Sequence, residues 1–355
     1  MRIASVEVIP YALPFRAPYV TARGSLERRE MVLLRLCSDD GITGLGEAVP
    51  LSLRGGAPLA RVVGELELLG ELSELDEASL LGGIGNLSAP ARCAALTALL
   101  DLRGRRAACE GRAGDAAAEP VPCNATLVAG EPAAVAADAL AWAAEGFSTF
   151  KLKLGVGDDL GQVRAVREAV GPRARIRIDA NAAWSVEQAK RVLGALEPLG
   201  IELAEQPVAT IEEAIEVAGA TSIPIAADES VESRSDAALL ASLGACAFAG
   251  IKLSKVGGPE EAIAIAELLP SYLSSALDGP VGIAAAAQVA QTLRLNAPEG
   301  AVELAHGLAT QRLFAETVAT SECALRDGML HPPPGPGLGV EIDERALELH
   351  RLDVR

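Results

Sequence analysis

Three carboxylates stand at the ends of consecutive predicted strands: Asp179 in RIRID, Glu205 in IELAE and Asp228 in IPIAAD. If these strands lie parallel in one barrel, their C-terminal ends meet at one face. Carboxylates that close would repel one another and raise one another's pKa unless a positive charge lay between them. A divalent cation supplies that charge, and an all-oxygen ligand set favours Mg²⁺ over zinc. The pattern therefore predicts a Mg²⁺ site.

Lysines flank this series on both sides. Lys151 and Lys153 end the strand TFKLK, where alternation places both side chains on one face, and Lys252 lies in a later strand, GIKL. Burial and a nearby cation would lower a lysine pKa towards neutrality, where an amine can exchange a proton with a substrate. The metal would stabilise the enolate formed when a proton leaves the carbon next to a carboxylate.

Each of these residues alone has an ordinary explanation. A lysine at a strand end is usually a solvated rim residue, and an aspartate before a loop is usually a turn residue or a helix cap. Their occurrence together on successive strand ends is hard to obtain by accident, so a site that removes a proton is the better interpretation.

The elements that must position these residues alternate between strand and helix. Strands are predicted at Val121–Val128, Thr149–Leu154, Arg175–Asp179, Glu202–Glu205, Ile223–Asp228, Gly250–Leu253, Leu273–Leu277 and Val302–Ala305. Helices are predicted between them at Glu131–Ala144, Gly161–Val170, Ser185–Leu199, Ile211–Ala220, Ser233–Leu243 and Glu260–Leu269. About eight βα units with short connections predict an α/β fold with a closed parallel barrel of the TIM type.

The chain before this repeat is predicted to be a separate α+β unit. Its strands and helices are expected at Ile3–Leu13, Met31–Cys37, Leu59–Leu80 and Ala89–Ala107. Gly111–Pro120 has the composition of a linker. We therefore divide the chain into an N-terminal unit (1–120), a barrel (121–322) and a C-terminal segment (323–355) that packs back on the first unit.

Composition excludes several classes of function. The chain has 355 residues with a net charge of −17, which argues against nucleic acid or an anionic membrane surface as a partner. A small anionic substrate remains compatible, because a bound metal can reverse the local field. The six cysteines form no CxxC pair and only three histidines occur, which argues against zinc or iron–sulfur sites.

The cellular location and the oligomeric state are predicted from weaker signals in the sequence. Scattered free thiols fit a reducing cytoplasm, and the first residues lack the pattern of a signal peptide. No apolar run reaches the length of about 20 residues that spans a bilayer. We expect a cytoplasmic protein; the oligomeric state stays open, with a homo-oligomer as one possibility.

Five segments resemble a known motif series. TFKLKLG, RIDANAAWS, AEQPV, IAADES and GIKLSKVGG are similar, in order and spacing, to the motifs of the enolase superfamily, in particular its muconate-lactonising subgroup. The resemblance implies a Mg²⁺-dependent enzyme on a modified (β/α)7β barrel with an N-terminal capping domain. It assigns the metal to the three strand-end carboxylates and the acid/base pair to Lys153 and Lys252. Lys151 would lower the pKa of Lys153.

Two later segments narrow the choice among the reactions of this subgroup. LSSALDGPVGIAAAAQVA (273–290) and ELAHGLATQRLFAETVA (303–319) are similar to the seventh- and eighth-strand regions of o-succinylbenzoate synthases. Dipeptide epimerases of the subgroup usually carry Asp-x-Asp in the later segment to bind an ammonium group, where this chain has Gly307, Leu308 and Ala309. The resemblance implies syn dehydration of a cyclohexadiene carboxylate in menaquinone biosynthesis. A dipeptide epimerase, an N-acylamino acid racemase, a muconate-type cycloisomerase and a catalytically silent scaffold remain alternatives.

Further residues are expected near the small-molecule carboxylate substrate. Lys151, Asn181, Ser274 and Ser275 are predicted to contact it, although the two serines equally suit a hydrogen-bonding role at a strand end. His306 is expected to be structural rather than catalytic.

Two regions around the barrel mouth carry separate expectations. Gly279 and Pro280 stand where Thr-Ser is common in the similar synthases, which puts substrate contacts of that loop in question. The segments Arg16–Gly24 and Leu51–Pro58 of the first unit are predicted to be loops that cover the mouth.

Overall fold

The structure is a computed structural model that describes residues 1–21, 24–51, 55–70, 76–112, 119–297 and 303–354. Its first part is a three-stranded antiparallel sheet followed by helices. The elements are β1 (Ile3–Thr21), β2 (Gly24–Ser38), β3 (Thr43–Ala48), α1 (Leu59–Gly70), α2 (Glu77–Gly83) and α3 (Ala89–Cys109). β2 is the central strand and pairs with β1 and β3.

The apolar run MVLLRL explains why β2 is central. Side chains of a strand alternate between the two faces of the sheet. Met31 and Leu33 belong to the core shared with the barrel, while Val32 and Leu34 belong to a core formed with the helices of this unit. Because both faces are covered here, the run Met31–Leu36 is apolar at every position except Arg35.

The second part contains the barrel. Its strands are β4 (Val121–Pro122), β5 (Ala125–Leu127), β6 (Thr149–Lys153), β7 (Arg175–Asp179), β8 (Ile201–Glu205), β9 (Ile225–Ala227), β10 (Phe248–Ile251) and β11 (Ser271–Leu273). Its helices are α4 (Pro132–Ala144), α5 (Asp159–Val170), α6 (Val186–Leu196), α7 (Ile211–Ala218), α8 (Arg234–Leu243), α9 (Leu253–Val256), α10 (Pro259–Ala266) and α11 (Pro280–Asn296). Strands β5 to β11 form one parallel sheet in sequence order.

Local signals begin several of these helices. Ser185, Thr210 and Ser233 each accept a hydrogen bond from the amide three residues ahead, at the starts of α6, α7 and α8. Thr210 and Glu213 form a complete capping box. These caps fix where each loop ends, and so hold the strand ends in place.

The barrel closes through two residues rather than through a full eighth strand. His306 bridges to Cys123 beside β5, and Gly307 bridges to Ser274 beside β11. The expected strand at Val302–Ala305 is therefore wrong in position: its described residues, 303–305, are not strand. One reason is that the His306 Nδ1 atom, not a backbone carbonyl, accepts the Leu273 amide at 2.9 Å.

The C-terminal part returns to both halves of the molecule. Its elements are β12 (Ala319–Ser321), β13 (Ala324–Arg326), β14 (Met329–His331), β15 (Glu341–Ile342) and α12 (Glu344–His350). β14 pairs with β4, and β12 pairs with β15. After α12, the Leu352 amide donates to the Pro10 carbonyl of β1 at 2.9 Å. The barrel with an N-terminal capping unit is confirmed, whereas the division at residues 120 and 322 stays a prediction.

Several expected boundaries differ in the structure. Val121–Val128 is not one strand but two, β4 and β5, which belong to different sheets. The expected helix Leu59–Leu80 is two helices, α1 and α2, and residues 71–75 between them lie outside the described chain. Arg16–Thr21, expected in a loop, continues β1, because Tyr19 pairs with Leu26 of β2. Residues 22–23 and 52–54 of the two expected loops lie outside the described residues.

Candidate active site

Strand register places the predicted site residues at one level of the barrel. Lys153 of β6 pairs with Asp179 of β7, which in turn pairs with Glu205 of β8. Glu205 pairs with Ala226, and Asp228 follows two positions later on the same face. The three carboxylates are at most 1% exposed. Parallel pairing thus turns a sequence of strand ends into a cluster.

Lysine side chains bind two of these carboxylates. Lys151 Nζ lies 2.9 Å from Asp179 Oδ2 and 2.6 Å from Glu205 Oε1. Lys153 Nζ lies 2.5 Å from the same Asp179 oxygen and donates to Asn181 Oδ1 at 3.0 Å. Asn181, predicted as a substrate contact, therefore also orients Lys153.

The third carboxylate is bound by lysines from the other side. Lys252 pairs with Asp228 Oδ2, and Lys255 Nζ lies 3.0 Å from Asp228 Oδ1. Lys255 also donates to the Asp228 backbone carbonyl. Lys255 was missed by the sequence analysis, although it follows Lys252 by three residues in GIKLSK, where α9 begins directly after the strand.

The chain concentrates its lysines in this cluster. It has five lysines, of which Lys151, Lys153, Lys252 and Lys255 lie here and only Lys190 lies elsewhere. Apart from three histidines, the other basic side chains are arginines, whose guanidinium group stays protonated in proteins. Amine side chains, which can give up a proton, are thus placed almost only at the site.

Burial and the neighbouring carboxylates shift the pKa values of the lysines in opposite directions. Burial alone would lower the pKa of Lys151, but the carboxylates of Asp179, Glu205 and Asp228 outweigh it and raise the pKa. Burial likewise opposes, without cancelling, the rise in the pKa of Lys153 caused by Asp179. Of these two influences the carboxylate charge is thus the stronger; the expected lowering of a lysine pKa, which included the charge of a bound cation, stays a prediction.

A cavity opens beside this cluster, between the barrel and the capping unit. Lys151, Lys153 and Lys252 line it from the barrel, and Tyr19 and Arg29 line it from β1 and β2. Tyr19, from the segment Arg16–Gly24 that was expected to cover the mouth, therefore lies at the cavity, as part of a paired strand. No local pattern marks Arg29 as a site residue, because it reaches the cavity only through the packing of two distant units.

The other predicted contacts lie on the same cavity. Ser274 and Ser275 line it, with Ser275 Oγ donating to Asp278 Oδ2 at 2.7 Å. His306 is buried, and burial lowers its pKa to about 3. Its Nδ1 atom accepts the Leu273 amide, which supports the expected structural role. Gly307 also lines the cavity, and a Cβ atom there would lie 3.1 Å from Ser274 Oγ.

The unusual Gly279 has a packing reason. One carboxyl oxygen of Glu47, from the capping unit, accepts the Gly279 amide at 2.6 Å, and the Tyr11 hydroxyl donates to the other at 3.0 Å. A Cβ atom on Gly279 would lie 2.5 Å from the Tyr11 hydroxyl. Pro280 then starts α11, where its missing N–H has no cost.

The loops at the strand ends are conformationally strained. Besides Asp327 in the turn between β13 and β14, four described non-glycine residues have positive φ angles: Asn181, Ala182, Gln206 and Leu277, at 48°, 61°, 39° and 66°. Each follows a barrel strand within a few residues, and strain of this kind concentrates at functional sites. The backbone is thus bent where the cluster is presented to the cavity.

The described parts of the chain contain neither a group of side chains already arranged to hold a metal ion nor a membrane-spanning helix. No three His, Cys, Asp or Glu side chains there are arranged to hold a metal, since lysine Nζ atoms stand between the carboxylates. No helix there is long and apolar enough to cross a bilayer.

Comparison with known proteins places this site in a family. The model for the mandelate racemase / muconate lactonizing enzyme N-terminal domain matches residues 3–109, and the enolase C-terminal domain-like model matches residues 134–346. An o-succinylbenzoate synthase from Thermobifida fusca is 36% identical over 66% of this chain and 72% of its own length. Muconate cycloisomerase 1 from Pseudomonas putida is 30% identical over 96% of both chains.

Solved structures agree with this placement. The muconate lactonizing enzyme from Pseudomonas fluorescens, complexed with muconolactone, has a TM-score of 0.88 at 29% identity and covers 99% of both chains. The dipeptide epimerase from Enterococcus faecalis, complexed with Mg and L-Leu-L-Tyr, has a TM-score of 0.86 at 28% identity, over 96% of this chain and 100% of its own. The chain is therefore an enzyme of the enolase superfamily and belongs to its muconate-lactonising subgroup.

Proposed function

We propose that the protein is a Mg²⁺-dependent o-succinylbenzoate synthase. The reaction would be the syn dehydration of a cyclohexadiene carboxylate that also carries a succinyl group and a hydroxyl. The observation that supports this best is the charge of the cavity. Of the described residues that line it, Arg29, Lys151, Lys153 and Lys252 are basic and none is acidic. Such a cavity suits a substrate with two carboxylates and offers no partner to an ammonium group.

The donor chemistry of the three carboxylates fits the expected metal, although lysine Nζ atoms stand between them in this structure. Asp179, Glu205 and Asp228 are hard oxygen donors at one level of the barrel, and Mg²⁺ is the ion that such a set favours. We assign the three as its ligands. When bound, the metal supplies positive charge that neutralises a developing enediolate and offsets the carboxylate charge that keeps the lysine pKa high.

The lysines have distinct proposed roles in the dehydration. Lys153 removes the proton next to the substrate carboxylate and then donates it to the departing hydroxyl, because both events occur on one face. Lys252, just after the end of β10, stays charged and stabilises the enediolate from the other side of the site. Asn181 holds Lys153 in position, and Lys151 and Arg29 attract the carboxylates of the substrate.

Three alternatives share the same metal and lysines. A dipeptide epimerase would need an acidic partner for the substrate ammonium, and Gly307–Ala309 provides none. An N-acylamino acid racemase and a muconate-type cycloisomerase have no such requirement, and the cavity charge does not exclude them. A racemase would use Lys153 and Lys252 as opposed acid and base, whereas the dehydration needs only one base.

A substrate panel tests the proposal. The purified protein with Mg²⁺ would be assayed on the cyclohexadiene substrate, N-succinyl amino acids, cis,cis-muconate and dipeptides. We expect the highest kcat/KM for dehydration of the cyclohexadiene. Efficient racemisation, cycloisomerisation or epimerisation without detectable dehydration would overturn the synthase assignment and leave the metal and lysine assignments standing.

A further inference from the structure

A buried polar chain lies behind the carboxylate cluster, inside the barrel. Glu202 of β8 pairs with Arg177 of β7, and the Arg177 guanidinium lies over the ring of Tyr272 in β11, 4.9 Å from its centroid. The Tyr272 hydroxyl donates to Glu205 Oε2. Arg177 and Tyr272 are both 0% exposed, so no solvent screens the contact between them or the hydrogen bond to Glu205; Glu202, at the outer end, is partly exposed.

The hydrogen bond from Tyr272 reaches Glu205 from a strand that is not its neighbour in the sheet. β8 and β11 are separated by β9 and β10 in the sheet, so the bond crosses the barrel interior. Lys151 binds the other oxygen, Oε1, from the cavity side. The two donors together fix both oxygens of this carboxylate.

The phenol ring itself has little freedom. Leu203 and Ala226 pack against it, and Arg177 Nη1 donates to the Ala305 carbonyl at 2.6 Å, which anchors the cation over the ring. On β10, a Cβ atom at Gly250 would lie 3.0 Å from the Tyr272 hydroxyl oxygen. The absence of a side chain at Gly250 thus leaves the space that the phenol needs.

We propose that Tyr272 is a positioning residue whose hydroxyl holds Glu205 in the orientation that binds the divalent cation, with Arg177 and Gly250 fixing the ring. This inference rests on the metal assignment of the proposed function and not on its substrate. A tyrosine that only filled the core would be replaceable by phenylalanine, because the hydroxyl would have no role.

Metal binding to the resting enzyme tests this role directly. Free Mn²⁺ would be titrated with the wild type and with Tyr272→Phe and followed by electron paramagnetic resonance, without substrate. Loss of a hydrogen bond to a metal ligand typically weakens binding by about 10- to 100-fold, and we expect a loss in that range. Tyr11→Phe is the matched control, since it removes the other fully buried phenol that donates to a carboxylate, Glu47. It should leave the Mn²⁺ affinity unchanged.

A second variant displaces the same hydroxyl without removing it. Gly250→Ala keeps Tyr272 but forces its ring to shift, and it should also weaken Mn²⁺ binding while circular dichroism shows a folded barrel. If the wild type binds Mn²⁺ and Tyr272→Phe binds it within twofold as tightly, the positioning role is wrong and the metal assignment stands. If the wild type binds no Mn²⁺, both are wrong.

Discussion

Glu47 connects the capping unit to the barrel, and its ionisation should make the stability of the protein depend on pH. The side chain is 2% exposed and links Tyr11 of β1 to the first turn of α11. Burial, and next the nearby Asp278 carboxylate, raise the pKa of Glu47 from 4.5 to about 8. Each pKa unit corresponds to about 1.4 kcal/mol, so ionising Glu47 in the folded state costs about 5 kcal/mol.

The sign of the effect follows from where each state loses its proton. Between pH 4.5 and about 8 the unfolded chain has a charged Glu47 while the folded protein keeps it neutral. The free energy of unfolding should therefore fall as the pH rises through this window, and level off above it. Glu47→Gln is neutral in both states, so it should lose most of this dependence and exceed the wild type in stability at pH 9.

Urea unfolding at pH 5.5, 7 and 9 measures the effect. Glu65→Gln is a matched control in the same unit, because hydrogen bonds from Ser88 and Arg61 outweigh burial and lower the pKa of Glu65. Its stability difference from the wild type should be constant over this pH range. An unchanged pH dependence in Glu47→Gln would show that another group, such as Asp278, carries the titration, and would refute the reasoning.

The remaining predictions concern the site and its packing. Asp179→Asn and Asp228→Asn should each reduce kcat by about a thousandfold, because the metal contributes several kcal/mol to stabilising the transition state. EDTA should inhibit the wild type and Mg²⁺ should restore its activity, whereas full turnover in metal-free buffer would contradict the assignment. Lys153→Arg should abolish dehydration, whereas Lys252→Arg keeps a charge and should leave measurable turnover. Equal losses of activity in the two variants would favour a racemase, and the control Lys190→Arg, outside the cluster, should have no effect. Gly279→Ala should destabilise the protein by about 1–3 kcal/mol in thermal unfolding through overpacking against Tyr11, and a neutral result would show that the loop relaxes freely.

The barrel and the order of its site residues were predictable because both depend on local patterns. Alternation within TFKLK placed Lys151 and Lys153 together, and the repeat of strand and helix placed each carboxylate at a strand end. The cluster then follows from one general rule, that parallel strands in a barrel present the same end at one mouth.

Short or interrupted elements were less predictable. The closing residues His306 and Gly307 carry no strand pattern, because a side-chain acceptor replaces part of the backbone pairing. The division of Val121–Val128 into two strands depends on β14, which lies about 200 residues later in the chain.

The sequence by itself determined the barrel, the family resemblance and which side chains stand at the strand ends. Only the tertiary structure decided that Arg29 reaches the cavity, that Tyr272 binds Glu205 across the barrel and that Glu47 accepts the amide of Gly279. It also decided that the carboxylates outweigh burial in their effect on the lysine pKa values, since only distances show which of the two is stronger. These contacts join residues on elements far apart in the chain, and no local spacing encodes the distance between two atoms that meet only when separate units pack.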